Sequence, residues 1–346
     1  MRTRTLTILL LCSSLAPLAA QTAEGKTGER PRRERREAAP VELKNFRWQE
    51  AKFASPAIGK QEVDYGIYLP KGYDDEAHRD TKWPLVIWLH GMFEDHRRFH
   101  ERGGAPVLDQ CVTDGKLPAC VFVTANGGRT SMYVNRKDQR WEDLITQDLL
   151  QHLSQTYRIS AQREQRAIMG VSMGGMAALR IAFTQPTLFG AVGAHSSAVF
   201  GEDPEQLPER MKGMAQRLGL DEVFGNPIQK DPWQKANPLC LANAAPLEQL
   251  QSLRIYFDAG SNDRYGFAAG NELLHQALDR RKVQHTWRLI EGGGHSWGAG
   301  FQDQTLPFSF GVVGAMFLTA AGPTKPCPDD GKAGKAPQPP ATGGGK

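Results

Sequence analysis

A serine held between glycines, Gly170-Val171-Ser172-Met173-Gly174, stands where an apolar run ends and a helical pattern begins. Arg166-Ala167-Ile168-Met169 leads into it, and Gly175-Met176-Ala177-Ala178-Leu179-Arg180-Ile181-Ala182 leads away. That order predicts a strand, a sharp turn and a helix. The flanking glycines allow the backbone to bend tightly, and the turn lifts the serine Oγ clear of the sheet. The start of the helix behind it offers free amides and the positive end of a dipole to a developing oxyanion. By itself G-x-S-x-G is a weak pattern in a chain with 36 glycines. The strand–turn–helix context gives it weight.

The rest of the chain repeats the alternation. Strand-like runs fall at 63–69, 84–89, 120–124, 166–171, 191–195, 253–257 and 286–290. Several, such as Leu85-Val86-Ile87-Trp88-Leu89, are continuously apolar, as suits parallel strands covered on both faces. Helical patterns fall at 142–157, 173–183, 271–281 and 308–320. In the first, Leu144, Ile145, Leu149 and Leu153 form a stripe of 3.6-residue period. Alternating units of this kind predict an α/β fold: a doubly wound, mostly parallel sheet with helices on both faces, of the α/β-hydrolase type. Residues 200–246 are polar and proline-containing, with a helical pattern at 207–218. They read as an insertion over the carboxyl ends of the strands, where a substrate pocket would lie.

Ser172 needs a base, and the base needs an orienting acid. In the hydrolase arrangement these follow in the order Ser, Asp or Glu, His. After the run Leu253-Arg254-Ile255-Tyr256-Phe257 come Asp258, at the strand end, and Asp263, in a loop from which a carboxylate can reach an imidazole. Asp263 is the expected acid. Asp258 is expected to bond loop amides and brace the turn. After the last strand, Gly292-Gly293-Gly294 precede His295, the expected base. His152 and His275 fall in helical patterns and read as surface or packing residues. The stretch from Asp95 to His100 reads as a solvated loop, and no Cys or His spacing indicates a zinc site. The oxyanion donors are expected to be the backbone amide of Met173 and that of Met92, in Leu89-His90-Gly91-Met92. No cofactor or metal is implied.

On these residues the chain resembles the esterase family of α/β-hydrolases. That family takes in the S-formylglutathione hydrolases, the feruloyl and acetyl-xylan esterases of carbohydrate esterase family 1, the enterochelin esterases and the mycolyltransferases. The matching stretches are Leu89-His90-Gly91, Arg140-Trp141-Glu142-Asp143, 166–175, 257–263 and Gly293-Gly294-His295-Ser296-Trp297, spread over about residues 60–320. The resemblance implies a Ser172–Asp263–His295 triad with Met92 and Met173 as oxyanion donors. It also places Trp141-Glu142 where relatives brace the site, although Trp141 reads equally well as core packing. The activity implied is hydrolysis of a small-molecule or glycan-linked ester through an acyl-enzyme. Acyl transfer to a sugar hydroxyl is the near alternative, and a non-catalytic binding protein on a hydrolase fold the remote one. A lipase would want an apolar lid, whereas 200–246 is mostly polar.

Charge excludes one further class. Segments 1–23, 24–40 and 322–346 each carry +2, so residues 41–321 carry −2 of the total +4. The expected folded part is slightly acidic and offers no nucleic-acid face. Arg2 and Arg4, the apolar stretch 6–15 and the small residues Ala16, Ala19 and Ala20 read as a secretory signal over 1–20, too short to span a bilayer. The expected domains are a charged linker at 21–40, a catalytic domain at 41–321 and a Pro/Gly/Lys-rich tail at 322–346. The expected location is secreted or periplasmic, with no stable membrane insertion. Export leaves Cys111, Cys120, Cys240 and Cys327. Cys111–Cys120 and Cys240–Cys327 are expected disulfides, one of three possible pairings.

Overall fold

The computed structural model describes residues 41–207, 212–213, 215, 218–298 and 300–320. The expected signal, linker and tail lie outside the described residues, as does most of the helical pattern at 207–218.

Eight strands form one sheet: β1 (Phe46–Ser55), β2 (Gln61–Pro70), β3 (Leu85–Leu89), β4 (Val121–Ala125), β5 (Arg166–Val171), β6 (Ala191–His195), β7 (Arg254–Gly260) and β8 (Thr286–Ile290). Their order is β1-β2-β4-β3-β5-β6-β7-β8. β1 and β2 are antiparallel, β2 runs antiparallel to β4, and every later pairing is parallel. The helices that matter here are α1 (Gly104–Thr113), α2 (Leu150–Thr156), α3 (Met173–Thr184), α4 (Pro238–Ala244), α5 (Phe267–Arg280) and α6 (Leu306–Ala320). This is the expected doubly wound α/β-hydrolase architecture.

The central strands are buried on both faces, which is why they read as unbroken apolar runs. The core accordingly has two layers. One packs Ile87, Ile168, Val192 and Phe257 against α3 and α5; the other packs Val86, Trp88, Met169 and Phe122 against α1 and α6. α6 is nearly all apolar, but among the described residues no helix is long and apolar enough to cross a membrane.

One expectation fails here. Cys111 and Cys120 are free thiols rather than a disulfide, and Cys240 is also free. Cys111 on α1 and Cys120 ahead of β4 are each packed as an apolar side chain in the second core layer. Burial pushes the Cys111 thiol up to about 11 and the Cys120 thiol higher still, so neither has thiolate character. Cys327, the expected partner of Cys240, lies outside the described residues.

Candidate active site

The strands bring the expected residues to one edge. β5 delivers Ser172 in a tight turn at φ 56°, ψ −116°, a conformation in which non-glycine residues are strained. The Ser172 amide donates to the His195 carbonyl at 2.8 Å, which holds the turn against β6. Neighbouring glycines allow the fit. A Cβ on Gly174 would sit 2.2 Å from the Leu89 carbonyl oxygen, and one on Gly170 would sit 2.5 Å from that of Gly174. β7 leads to Asp263, and β8 leads to His295.

His295 Nε2 lies 3.1 Å from Ser172 Oγ, and His295 Nδ1 lies 2.8 Å from Asp263 Oδ2. A carboxylate only accepts, so Nδ1 carries the proton and the Nε2 lone pair faces the serine. Asp263 Oδ1 accepts the Tyr265 amide at 2.8 Å, so both carboxylate oxygens are engaged in a buried side chain. The Tyr265 and Phe267 rings meet the imidazole in T-shaped contacts at 4.6 and 5.4 Å between centroids.

The loop after β3 abuts the serine. A Cβ added at Gly91 would sit 3.6 Å from Ser172 Cβ. Several bonds fix the loop: the Gly91 carbonyl accepts from His90 Nδ1–H at 2.8 Å and from the Glu94 amide at 3.2 Å, the Gly127 amide donates to His90 Nε2 at 3.1 Å, and the Gly91 amide donates to the Glu94 side chain at 2.9 Å. In a trans peptide the N–H points opposite to the C=O. Tying back the Gly91 carbonyl therefore turns the Met92 amide outward, and among the described residues that amide has no acceptor. The Met173 amide opens α3, where no intrahelical acceptor exists. Among the described residues both amides are thus left without an acceptor.

Full burial lowers the His90 pKa to about 4, keeping this ring neutral as the two-bond bracket requires. Glu94 is shifted upward, chiefly by burial, while the Gly91 amide and Arg98 pull it the other way. Sequence reasoning missed both residues. The only available signal was that His90 directly precedes Gly91.

Asp258 differs from its expected role. It accepts the Ser196 amide at 3.4 Å, but its Oδ2 is taken by His195 Nδ1 at 2.6 Å and the Tyr256 hydroxyl at 2.9 Å. His195 Nε2 in turn meets Ser309 Oγ on α6 at 3.1 Å. This second Asp–His pair is fully buried beneath the site. Glu142 pairs with the buried Arg180 on α3, behind the serine, and Arg180 also donates to the Tyr133 carbonyl at 2.6 Å. Trp141 packs beneath Gly128.

The cleft above Ser172 has an apolar wall of Met92, Met132, Phe200, Leu220, Phe267 and Trp297, and Glu94, Arg102 and Arg264 are its charged groups. Phe200 and Leu220 come from the 200–246 segment. Phe93, Met132, Ser172 and Trp297 all line the cleft at positive φ, so backbone strain is concentrated where the substrate would sit.

Residues 55–307 match the family described as Putative esterase. The chain belongs to that family. A curated relative, an endo-1,4-beta-xylanase/feruloyl esterase of Xylanibacter ruminicola, is 25% identical over 170 residues, 47% of this chain. The match spans only 23% of that relative's length. Among solved structures, a ferulic acid esterase superposes with a TM-score of 0.65 at 23% identity, over 79% of this chain and 99% of that one. An S-formylglutathione hydrolase from Staphylococcus aureus superposes with a TM-score of 0.60 at 17% identity, over 78% of this chain and all of that one. At these identities the superpositions speak for the fold.

Proposed function

We propose that this member of the family is an exported serine carboxylic-ester hydrolase working through an acyl-enzyme. The observation that carries the reading is the unbroken chain from Ser172 Oγ to His295 to Asp263, at 3.1 and 2.8 Å. His295 Nε2 takes the proton as Ser172 Oγ attacks the ester carbonyl. Asp263 holds the ring in the required tautomer and stabilises the imidazolium. The amides of Met92 and Met173 receive the oxyanion. As the tetrahedral intermediate collapses, the alcohol leaves with the proton from His295. Water, deprotonated by the same ring, then releases the acid and restores Ser172. Nothing in this sequence needs a cofactor.

The apolar, partly aromatic wall suits a flat aromatic acyl group. Likeness to a xylanase/feruloyl esterase and to a ferulic acid esterase favours a hydroxycinnamoyl ester over a long alkyl one. Export rests on the basic and apolar start of the chain, 1–20.

The test compares the parent and its Ser172→Ala variant on methyl ferulate and on p-nitrophenyl acetate, butyrate and laurate. The parent is expected to hydrolyse methyl ferulate and the short esters and to take up a fluorophosphonate stoichiometrically. Ser172→Ala is expected to lose at least about 10⁴-fold in kcat and all labelling. A folded parent that neither turns over an ester nor labels would overturn the reading. A preference for laurate would overturn the acyl group only.

A further inference from the structure

Away from the cleft, three side chains converge that the reaction does not use. His275 and Asp279 lie four residues apart on one face of α5, and His285 sits just ahead of β8. One ligand-type atom from each lies within 4.8 Å of the others. His275 Nδ1 is 2.7 Å from His285 Nε2, His275 Nε2 is 3.4 Å from Asp279 Oδ2, and His285 Nε2 is 3.9 Å from Asp279 Oδ1.

The donor and acceptor count is what makes this cluster unusual. His285 Nδ1–H donates to the Val283 carbonyl at 2.8 Å, so His285 Nε2 presents a lone pair to the cluster. Asp279 presents only lone pairs. His275 can donate from Nδ1 to His285, but its Nε2 then faces the carboxylate with a second lone pair. Lone pairs of all three side chains therefore face one another, an arrangement that a further proton or a metal ion would stabilise.

Three further features are those of a metal ligand set. A pair four residues apart on a helix chelates from one face. A backbone carbonyl on the far nitrogen of a ligating histidine fixes its tautomer and orientation. The His285 side chain is 3% exposed and stacks on Phe257, whereas the Asp279 side chain is 60% exposed, so the cluster has a rigid inner ligand and an open outer side for water.

We propose that His275, Asp279 and His285 form a binding site for a zinc-like divalent ion, which ties the end of α5 to the start of β8. Two imidazoles and a carboxylate, with water as the fourth ligand, match the preference of Zn²⁺ for tetrahedral N/O coordination. Zn–N bonds of about 2.0–2.1 Å imply N···N separations of about 3.3 Å, so the two rings must part by roughly half an ångström. His275, partly exposed on the helix surface, can make that movement. α5 follows the Asp263 loop and β8 precedes the His295 loop, so the ion would clamp together elements that flank the two loops. The site stands independently of the esterase reading.

The full chain, stripped with EDTA and dialysed, is titrated with ZnCl₂ by calorimetry, and its melting is followed with and without the ion. His295→Ala is run alongside to remove the imidazole that lines the cleft. The expected result is one Zn²⁺ per chain with micromolar affinity, unchanged in His295→Ala, and a Tm raised by about 5 °C at saturating ion. His275→Ala, at a partly exposed position, and Asp279→Asn, at an exposed one, are each expected to weaken binding at least about tenfold and to lose the Tm rise. Cu²⁺ is expected to quench Trp287, whose ring centroid lies 6.5 Å from that of His275, in the parent but not in His275→Ala. No uptake by the parent at 100-fold excess would overturn the site. So would binding that survives both substitutions, because it would place the ion elsewhere.

Discussion

Two aspartates five residues apart divide the labour around β7, and only one of them reaches His295. Their roles differ because of what each meets in space. Asp258 lies within β7, two residues before its end, and binds the buried His195, while Asp263 rises into the loop beyond and binds His295. The pattern of the sequence favours Asp263, since loop placement lets it reach across. It says nothing of His195, which is an ordinary strand residue until the fold sets it opposite Asp258 in the β6–β7 register. The two substitutions should therefore separate. Asp263→Asn is expected to lower kcat by about 10³–10⁴-fold, because an amide at that position no longer enforces the Nδ1–H tautomer. Asp258→Asn is expected to destabilise the fold by about 3–5 kcal/mol, as a broken buried pair does, while the protein that remains folded keeps most of its kcat. Steady-state kinetics combined with urea melts make the comparison. Equal losses of kcat in both variants would refute the division of roles.

At the scale of elements, the elbow is built by close packing as much as by turn geometry. The start of α3 sits against the end of β3, with Gly174 on the Leu89 and His90 carbonyls. The glycines on either side of Ser172 were legible as turn-formers, but the contact that makes Gly174 obligatory is between elements and has no sequence signal. The same holds for the missed pieces of the fold. β1 carries few buried residues and takes its identity from ten pairings to β2. α1 begins Gly104-Ala105-Pro106, which reads as a loop although proline is tolerated in a first helical turn. Runs buried on both faces, such as β3 and β5, were legible because burial itself imposes the pattern. Gly174→Ala should cost more than about 3 kcal/mol, a fall of roughly 6–12 °C in Tm, since the intruding Cβ meets backbone that cannot yield. Gly311→Ala on α6, where no atom lies within 4 Å, is expected to raise Tm slightly. A Gly174→Ala protein that melts with the parent would show that the elbow relaxes freely.

The molecule as a whole collects its site from one sheet edge, from residues as far apart in the chain as Met92 and His295, and the bonds that hold this edge together run through the buried, neutral imidazole of His90. That makes acid the natural stress on the fold. Burial lowers the pKa of His90 to about 4, and burial also lowers those of His100, His152 and His285. Below pH 6.5 the unfolded chain protonates these histidines while the folded chain resists, so the unfolded state binds more protons and stability falls with pH. For His90 the loss begins near pH 6.5 and is complete near pH 4, amounting to about 3 kcal/mol. Glu94 acts in the opposite sense. Its raised pKa means that the folded state takes up a proton before the unfolded state does, which offsets part of the loss. Tm should therefore drop between pH 7 and pH 4.5 more steeply than the surface carboxylates alone would produce. His90→Asn can still donate to the Gly91 carbonyl but cannot titrate. It is expected to be less stable than the parent at pH 7, where the Gly127 amide loses its acceptor, yet to show a flatter Tm–pH profile. Melting curves at half-unit steps of pH decide the matter: profiles of equal slope in the two proteins would mean that His90 is not the group the fold keeps neutral.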